Sequence, residues 1–473
     1  MHRHANMMPG PRRWMLTALC VGIYGMIAAP AARGQSVWEL TPYRIHVIVA
    51  VAHQPQLSSR FTAELTDHVT NRADAVIGAP WHLEVHQAGD PLARRFFRAD
   101  NTLAYDDLPI ATREADKVIF LGVSAKDDRY EIAAREFDLP SRLWGQRYRK
   151  QVDQRAQLLD EAFRACWQAF SPVAKIDAVE GREARVRVRA GSLPMADKTL
   201  ALVIPGDILR RYNRYRDREG NWAKTNTIEW TYLFVESLSG AEATCRIHTA
   251  LRSPLSARRR GRREPLAMIV RPPRGETRLE LRGLTGKQKP LVGYEVFAYG
   301  ADSKTTHLLG RSDRLGQVIV PADASPLRLL VIRHGGAFLA RLPVVPGLQP
   351  TLTAHIPDDD ARLAAEGYVF SLQERMVDLI SQRQILLALI RLRIEEGKAE
   401  EARSHLDKLR RLRTRGQLMA ALDQQERTLL IRNTNRRVEA KIKKLFGDTR
   451  KILNRHLDPR DIAAAEKEIR TKL

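Results

Sequence analysis

Cysteine is scarce in this sequence. Of the three cysteines, Cys20 lies in an apolar N-terminal run, and only Cys166 and Cys245 follow it. Two cysteines cannot make a disulfide scaffold. Both lie among apolar residues at helix or strand spacing, which is typical of buried small hydrophobes. Whether the two pair is left open by their spacing.

Acidic residues are few relative to basic ones. The chain holds 55 Asp and Glu against 78 Lys and Arg, a formal net charge of +23. A field of that sign attracts polyanions, so acidic lipid, an anionic wall polymer and an acidic protein are candidate partners. An Arg-rich genome composition would give the same bias, and this alternative stays open.

Long apolar runs are absent after the N-terminus. The most apolar helix candidate, 385–394, contains Arg391 and Arg393. A segment that spans a bilayer needs about 20 predominantly apolar residues. We therefore expect no membrane-spanning helix in the chain after its first residues.

The first 34 residues have the pattern of an export signal. A basic start with Arg12 and Arg13 precedes the apolar run 14–29 and a small-residue stretch that ends at Gly34. The apolar run is short, which favours a cleaved signal over a retained anchor. Removing the four arginines of this segment from the net charge of +23 leaves +19. We expect an exported protein, periplasmic or extracellular, with peripheral attachment to the envelope as an alternative, and export argues against nucleic acid as a partner.

Common chemistry-bearing motifs are also missing. The sequence has no Gly-x-Ser-x-Gly elbow, no phosphate-cradling glycine loop, no His-Glu-x-x-His helix and no Cys-x-x-Cys pair. These absences argue against common hydrolase, nucleotide-binding and metal-dependent classes. We predict no cofactor and no catalytic residues, and keep as a minor alternative an enzyme whose site assembles only in three dimensions.

Apolar periodicity switches between 2 and 3.6 along the chain and predicts a multidomain α+β protein. Residues 38–172 alternate strand and helix, as in a small α/β domain with a mixed sheet. The strand 117–123 is apolar on both faces and should be central. Short strands with turn signals between them predict a small β-barrel or sandwich at 173–270. Other predicted elements are strands at 43–52, 81–85, 130–137, 200–204, 226–235 and 243–249, and helices at 57–77, 103–115 and 151–170.

A second β unit is predicted over 276–357. Its strand pieces lie at 277–281, 293–299, 308–311, 317–320, 327–333, 338–344 and 349–356. In the run 309–321, Ser312, Asp313 and Gly316 would close a hairpin, with Gly316 at positive φ and Asp313 bonding its own turn. This run, with 290–296 upstream, resembles carboxypeptidase-regulatory-like and prealbumin-like β-sandwiches. The resemblance implies an Ig/prealbumin-like sandwich that serves as a non-catalytic spacer or adhesion module.

Residues 360–473 are predicted to be helical, since glycine is scarce there and Pro459 is the only proline. The segment 383–412 resembles one tetratricopeptide-type helical hairpin, with Gly397 and Ala402 at its close-packing positions. No second copy follows, so a helical hairpin or bundle is expected. The layout as a whole resembles exported multidomain proteins, which implies no activity.

His82, Glu84 and His86 lie on one face of a predicted strand. Two imidazoles and a carboxylate can bind zinc. Because nothing near in sequence supplies a fourth ligand or a general base, we interpret this set as a solvated strand face.

Two acidic clusters have the residue types that acid–base chemistry requires. Asp127 and Asp128 with Glu131 follow a central strand, where α/β domains often place sites. The second cluster is 358–360. We interpret the first as a polar turn and the second as a helix N-terminus, which favours acid.

Three basic segments are candidate polyanion sites. The hairpin 210–218 mixes Arg with Tyr, as stacking sites do, although a hairpin tip near Gly220 is the simpler interpretation. The second segment is the loop 258–263, which is a solvated loop or a polyanion site. The third is the basic helix around 438–453, whose apolar stripe could lie on an anionic membrane, although packing within its own bundle is favoured. The predicted polyanion-binding residues are Arg258, Arg259, Arg260, Arg262, Arg263, Lys443 and Lys444.

The first functional hypothesis is an exported, non-catalytic scaffold or interaction protein of the cell envelope, with a protein partner there. The second is a salt-sensitive binder of anionic polymer or lipid through the Arg-rich segments. The third is an enzyme with a site near Asp127, Asp128 and the His82 strand. The oligomeric state and the packing of the domains are left open.

Overall fold

A computed structural model describes residues 37–97, 105–126, 129–251, 263–272, 275–284, 288–300, 305–431 and 436–472. The predicted export signal, 1–34, lies outside these residues. The predicted α+β class is confirmed: a mixed sheet, a six-stranded barrel and two further sheets precede a helical C-terminal region.

The first sheet contains five strands in the order β2-β1-β3-β4-β5. They are β1 (Tyr43–Val51), β2 (Trp81–Gln87), β3 (Lys117–Lys126), β4 (Arg129–Asp138) and β5 (Leu143–Val152). Strand β1 runs parallel to β2 and β3, whereas β4 and β5 are antiparallel. As predicted, the doubly apolar strand β3 is central. The helices of this unit are α1 (Val37–Leu40), α2 (Ser59–Val76), α3 (Asp90–Phe97) and α4 (Leu158–Ala169).

Three local predictions in this unit were wrong. Strand β5 was not predicted, because it is an edge strand in which Arg, Lys and Gln interrupt the apolar alternation. The helix predicted from Gln151 therefore begins only at Leu158. The described part of the helix predicted at 103–115 forms two short 3₁₀ turns, Tyr105–Asp107 and Ile110–Thr112.

The second unit is a closed barrel with the strand order β10-β7-β6-β11-β8-β9. Its strands are β6 (Val173–Glu180), β7 (Glu183–Val188), β8 (Ile208–Arg216), β9 (Trp222–Ser239), β10 (Glu242–Thr249) and β11 (Arg263–Val270). The simpler interpretation of 210–218 is confirmed, because β8 and β9 form a hairpin whose tip follows Asp217. The strand predicted at 200–204 does not form.

The barrel and the first sheet share one hydrophobic core. Side chains of β1 and β3, helices α2 and α4 and the barrel interior belong to a single cluster of buried residues. Cys166 lies under the sheet in this cluster and Cys245 lies inside the barrel, and both are free thiols. Burial raises the pKa of each thiol to about 12, so both serve as packing residues.

Two further sheets follow, with the orders β15-β12-β18 and β14-β13-β16-β17. The strands are β12 (Thr277–Gly283), β13 (Glu295–Gly300), β14 (His307–Arg311), β15 (Gln317–Val320), β16 (Arg328–His334), β17 (Ala337–Val344) and β18 (Thr351–Ile356). All the predicted strand pieces are present, and the two sheets bury one common core. The resemblance to prealbumin-like sandwiches stays a prediction.

The hairpin turn before β15 has the predicted chemistry. Gly316 has φ +76°, and a Cβ there would lie 2.6 Å from the carbonyl oxygen of Leu281. The Asp313 carboxylate accepts hydrogen bonds from the amides of Leu315 and Gln317, each at 2.8 Å. Glycine is therefore required at 316 both by its backbone angle and by the space around it.

The C-terminal region consists of α5 (Asp360–Glu395), α6 (Ala399–Arg411), α7 (Arg415–Ile431), α8 (Arg436–His456) and α9 (Arg460–Lys472). The predicted helical hairpin forms between the end of α5 and α6, with Gly397 at φ +72° and Ala402 fully buried. The tetratricopeptide resemblance stays a prediction. Within the described residues, no helix combines the length and the apolar character needed to cross a membrane.

Candidate functional site

The N-terminus of α5 is fixed to the β sheets by a polar cluster. The Tyr294 hydroxyl accepts a hydrogen bond from the Asp359 amide at 3.0 Å and donates to the Asp360 carboxylate at 3.1 Å. The Lys289 ammonium lies 2.9 Å from Asp358 and 3.0 Å from Asp360. Burial raises the pKa of Tyr294, so the phenol stays a donor. The acidic cluster 358–360 thus serves the helix N-terminus, as predicted.

A buried ion pair reinforces this junction. The Arg362 guanidinium contacts the Asp359 carboxylate at 2.6 Å and donates to the carbonyl oxygen of His334 at 3.0 Å. Both partners are almost fully buried, and the bond to Asp359 raises the pKa of Arg362. The His334 ring stacks on Tyr294 with 4.1 Å between ring centroids. These contacts therefore fix the orientation of the first turn of α5 relative to the sheets.

Helix α5 packs on two separate clusters with different parts of its length. Its first half buries Ala365, Val369, Leu372 and Met376 against α7 and α8. Its last turns bury Ile390 and Ile394 against α6 and α9. The long helix is thus held along its length by neighbours on its inner side.

The outer side of α5 exposes large apolar side chains. Phe370 and Val377 are each 64% exposed, Ile385 is 59% exposed and Leu392 is 45% exposed. Their spacings of seven, eight and seven residues correspond to about two helical turns each, which aligns them on one side of the helix. We call these four residues the α5 stripe. A row of exposed apolar side chains on one side of a helix is a candidate interaction site.

Acidic side chains lie along the α5 stripe. Glu374 follows Phe370 by one turn, Asp378 adjoins Val377, and both are exposed. Residues three or four positions apart are neighbours on a helix surface. The stripe is therefore an apolar and locally acidic surface on a chain whose net charge is +23.

The predicted polyanion residues are only partly among the described residues. Arg258, Arg259, Arg260 and Arg262 lie outside the described residues. Arg263 begins β11, and burial together with the nearby Arg263 charge lowers the pKa of Arg211 to about 10. Their involvement in anion binding stays a prediction.

On α8, Lys443 pairs with Glu439 at 2.6 Å, and Lys444 is exposed. The apolar stripe of this helix, including Ile442 and Phe446, is buried in the helical bundle. The favoured prediction of packing within its own bundle is confirmed, and the same stripe cannot lie on a membrane in this conformation.

The first acidic cluster is only partly described. Asp127 and Asp128 lie outside the described residues. Glu131 pairs with Arg149 on the neighbouring strand at 2.9 Å. Glu131 is thus a cross-strand ion-pair partner, and the polar-turn interpretation of the two aspartates stays a prediction.

The histidine strand has a partner that the sequence interpretation missed. His46 of β1 lies beside Glu84 in the parallel register, and its Nδ1 is 2.7 Å from Nε2 of His86. Glu84 Oε2 lies 3.7 Å from the His46 nitrogen and 3.6 Å from the His86 nitrogen. His82 is exposed and opposite Arg44, outside this group. The signal for His46 was its alternate position in 43–52, on the face that the parallel β1–β2 pairing shares with Glu84 and His86.

His46 is the most enclosed member of this group. Burial, with a smaller contribution from His86, lowers the pKa of His46 below its ordinary value, although the Glu84 carboxylate acts in the opposite direction.

A charged network is buried under the first sheet. The Lys117 ammonium contacts the carboxylates of Glu136 at 2.6 Å and Asp138 at 3.2 Å, and donates to the Ser171 carbonyl oxygen at 2.8 Å. Although burial opposes its charge, the two carboxylates raise the pKa of Lys117. Burial raises the pKa of Glu136 to about 7 against the pull of Lys117. Lys117, Glu136 and Asp138 are all buried, so a substrate would have no access to this network.

Comparison with known proteins does not assign the chain to a family. No protein-family model matches the chain, and no curated protein matches it. Among solved structures, TolB from Acinetobacter baumannii is similar over 67% of this chain and 96% of that chain, with 13% identity and a TM-score of 0.17. This likeness is too low for fold or function to be transferred.

Proposed function

We propose that this protein is an exported, non-catalytic interaction protein of the cell envelope that docks a basic amphipathic helix of a partner protein on the α5 stripe. The observation that carries the proposal is the alignment of four exposed apolar side chains on one side of a helix whose opposite side is buried. From Phe370 to Leu392 the stripe is about 33 Å long at 1.5 Å per residue. That length accommodates several turns of a partner helix, as in helix-in-groove recognition.

Charge specifies the occupant. Glu374 and Asp378 beside the stripe favour Lys or Arg next to the apolar positions of the partner. A second copy of this chain would bring the same acidic residues into the interface, where like charges are destabilising. The stripe therefore fits a basic helix of a different protein better than it fits itself.

Rigid presentation of the stripe supports the same function. The polar cluster around Tyr294 and the buried Arg362–Asp359 pair fix the direction of α5 relative to the sheets. A surface that is ordered before binding loses less conformational entropy on association.

Capture from the envelope fraction with increasing salt tests the proposal. Wild-type protein should retain one stoichiometric protein that has a basic amphipathic helix, and Phe370→Ser with Val377→Ser should lose it. Phe338→Ser is a matched control, because Phe338 on β17 is also an exposed phenylalanine, at 62%. Glu374→Lys with Asp378→Lys should weaken capture while leaving the apolar residues in place. Equal capture by the Phe370 and Phe338 variants, or capture of a second copy only, would contradict the proposal.

Export is tested separately. The basic start, the apolar run and the small residues before Gly34 predict cleavage by a signal peptidase. N-terminal sequencing of the cell-purified protein should give a start after Ala31 or Gly34. An intact N-terminus on protein in the cytoplasmic fraction would contradict export. Docking on the α5 stripe would then still be decided by the capture experiment.

A second candidate function is binding of an anionic polymer or lipid surface. Its specific observation is the proximity of Arg263, the last residue of the predicted Arg loop, to Arg211. Neutralising Arg258, Arg259 and Arg260 should then lower the affinity for anionic vesicles and its salt dependence, because such contacts are counterion-linked. Binding that is unchanged by these substitutions or by salt would exclude it.

A further inference from the structure

We propose that His46, Glu84 and His86 form a three-ligand site for a divalent first-row transition metal, with Zn²⁺ as the expected occupant. The three ligand atoms, one from each side chain, all lie within 4.8 Å of one another. Zinc takes nitrogen from His and oxygen from Glu, and a set of two His and one Glu with an open fourth position is an established zinc arrangement.

The backbone places the three residues before any ligand binds. Glu84 and His86 are two residues apart on β2 and so lie on the same face. His46 comes from the hydrogen-bonded neighbour β1, directly opposite Glu84 in the parallel register. Sites built on paired strands hold their ligands more accurately than sites on loops, so little rearrangement is needed to bind an ion.

The separations between the ligand atoms fit one small cation. A tetrahedral ion at about 2.1 Å from its ligands separates them by about 3.4 Å. The two Glu84 distances, 3.7 Å and 3.6 Å, and the imidazole distance of 2.7 Å lie on both sides of that value. Small side-chain rotations would equalise them, and an ion would replace the direct imidazole contact with two metal–nitrogen bonds.

Exposure leaves a coordination position open. The His46 side chain is 12% exposed, whereas the side chains of His86 and Glu84 are 42% and 68% exposed. Strand β2 is the outermost strand of its sheet, so the outer ligands face solvent. The fourth position would hold water or a donor atom from another molecule.

Isothermal titration of the untagged, chelator-treated full chain with Zn²⁺ tests the site. We expect one ion bound through these residues, and His46→Ala, Glu84→Gln and His86→Ala should each weaken that binding by at least about tenfold, since even an outer-shell change costs 10–100-fold. Glu84→Gln keeps the shape of an exposed side chain, so it separates loss of a ligand from loss of fold. His82→Ala, on the same face of the same strand, is the matched control and should bind as wild type does.

The Co²⁺-loaded protein gives a second readout. Visible absorption of the intensity typical of four-coordinate Co²⁺ should be present in wild type and in His82→Ala, and absent in Glu84→Gln. Equal Zn²⁺ affinity in wild type and all three ligand variants, or no Zn²⁺ binding by the wild type, would overturn the proposal.

Discussion

Lys117 occupies a position where substitution should be strongly destabilising, because its ammonium and the Glu136 carboxylate are completely buried. Removing one partner of a buried ion pair leaves the other charge without compensation. This role could not be predicted from the sequence, since Lys117 begins one apolar strand whereas Glu136 and Asp138 lie on another. Only the antiparallel β3–β4 register brings the three together.

We expect Lys117→Met to lower the free energy of unfolding by about 3–5 kcal/mol, the usual cost of breaking a buried pair. Urea unfolding followed by tryptophan fluorescence measures it. Arg149→Met, which breaks the exposed pair with Glu131 in the same sheet, is the control and should cost less than about 1 kcal/mol. Similar losses in the two variants would show that the buried network does not stabilise the sheet.

The ion pairs of Glu264 should make the free energy of unfolding depend on pH. Although partial burial opposes its charge, the guanidinium groups of Arg214 and Arg216 lower the pKa of Glu264 below its ordinary value. The unfolded chain therefore binds this proton more readily, so the stabilisation is present above the ordinary pKa and is lost as pH falls through the folded-state pKa. The difference in unfolding free energy between wild type and Glu264→Gln should shrink below about pH 4. A difference that stays constant with pH would contradict this assignment.

Helix α5 is the element on which the proposed function depends. Its direction is set by contacts that lie far apart in sequence, such as Tyr294 with Asp359 and His334 with Arg362. If the Arg362–Asp359 pair fixes the helix start, weakening it should free the first turns and leave the far end of the bundle unchanged.

We therefore expect Arg362→Met to accelerate amide hydrogen exchange in the first three turns of α5 but not in α9, since local opening follows the loss of local contacts. Hydrogen exchange with mass spectrometry resolves the two segments. Arg410→Met removes an exposed pair with Glu466 and should change neither segment appreciably. Uniform acceleration over the whole helical region would indicate global destabilisation instead.

Most helices and strands were predicted from periodic apolar patterns. Elements whose apolar pattern is interrupted by charged residues were not predicted. The seven strands from β12 to β18 were predicted because each alternates or is continuously apolar. Strand β5 was missed because cations occupy its exposed edge. The candidate metal site was predicted only in part. The alternation of residues along the strand places Glu84 and His86 on one face, but the proximity of His46 depends on which strands pair.

The α5 stripe was missed for a related reason. Phe370, Val377, Ile385 and Leu392 count as ordinary apolar residues in a helical pattern. The helix has buried residues on its inner side as well, so no sequence periodicity separates the exposed positions from the core positions. Exposure is decided by which helices pack on α5, and those contacts are long-range.

The described residues combine packed sheets with an exposed apolar face on helix α5. The first sheet and the barrel share one hydrophobic core, and the next two sheets share another. The start of α5 is bound to those two sheets through Arg362. The surplus positive charge gives the chain a long-range attraction for anionic surfaces, whereas the stripe itself carries Glu374 and Asp378. Association with the envelope and docking of a basic helix would therefore use different surfaces.

Site-specific photo-crosslinking in intact cells tests the central claim most directly. A photoreactive residue at 370 or 377 should link the protein to one and the same partner, at a basic amphipathic helix, and a photoreactive residue at 338 should not. Crosslinks from 338 to that partner with equal yield, crosslinks from 370 only to a second copy of this chain, or none from 370 and 377, would contradict the assignment of the α5 stripe as the docking surface.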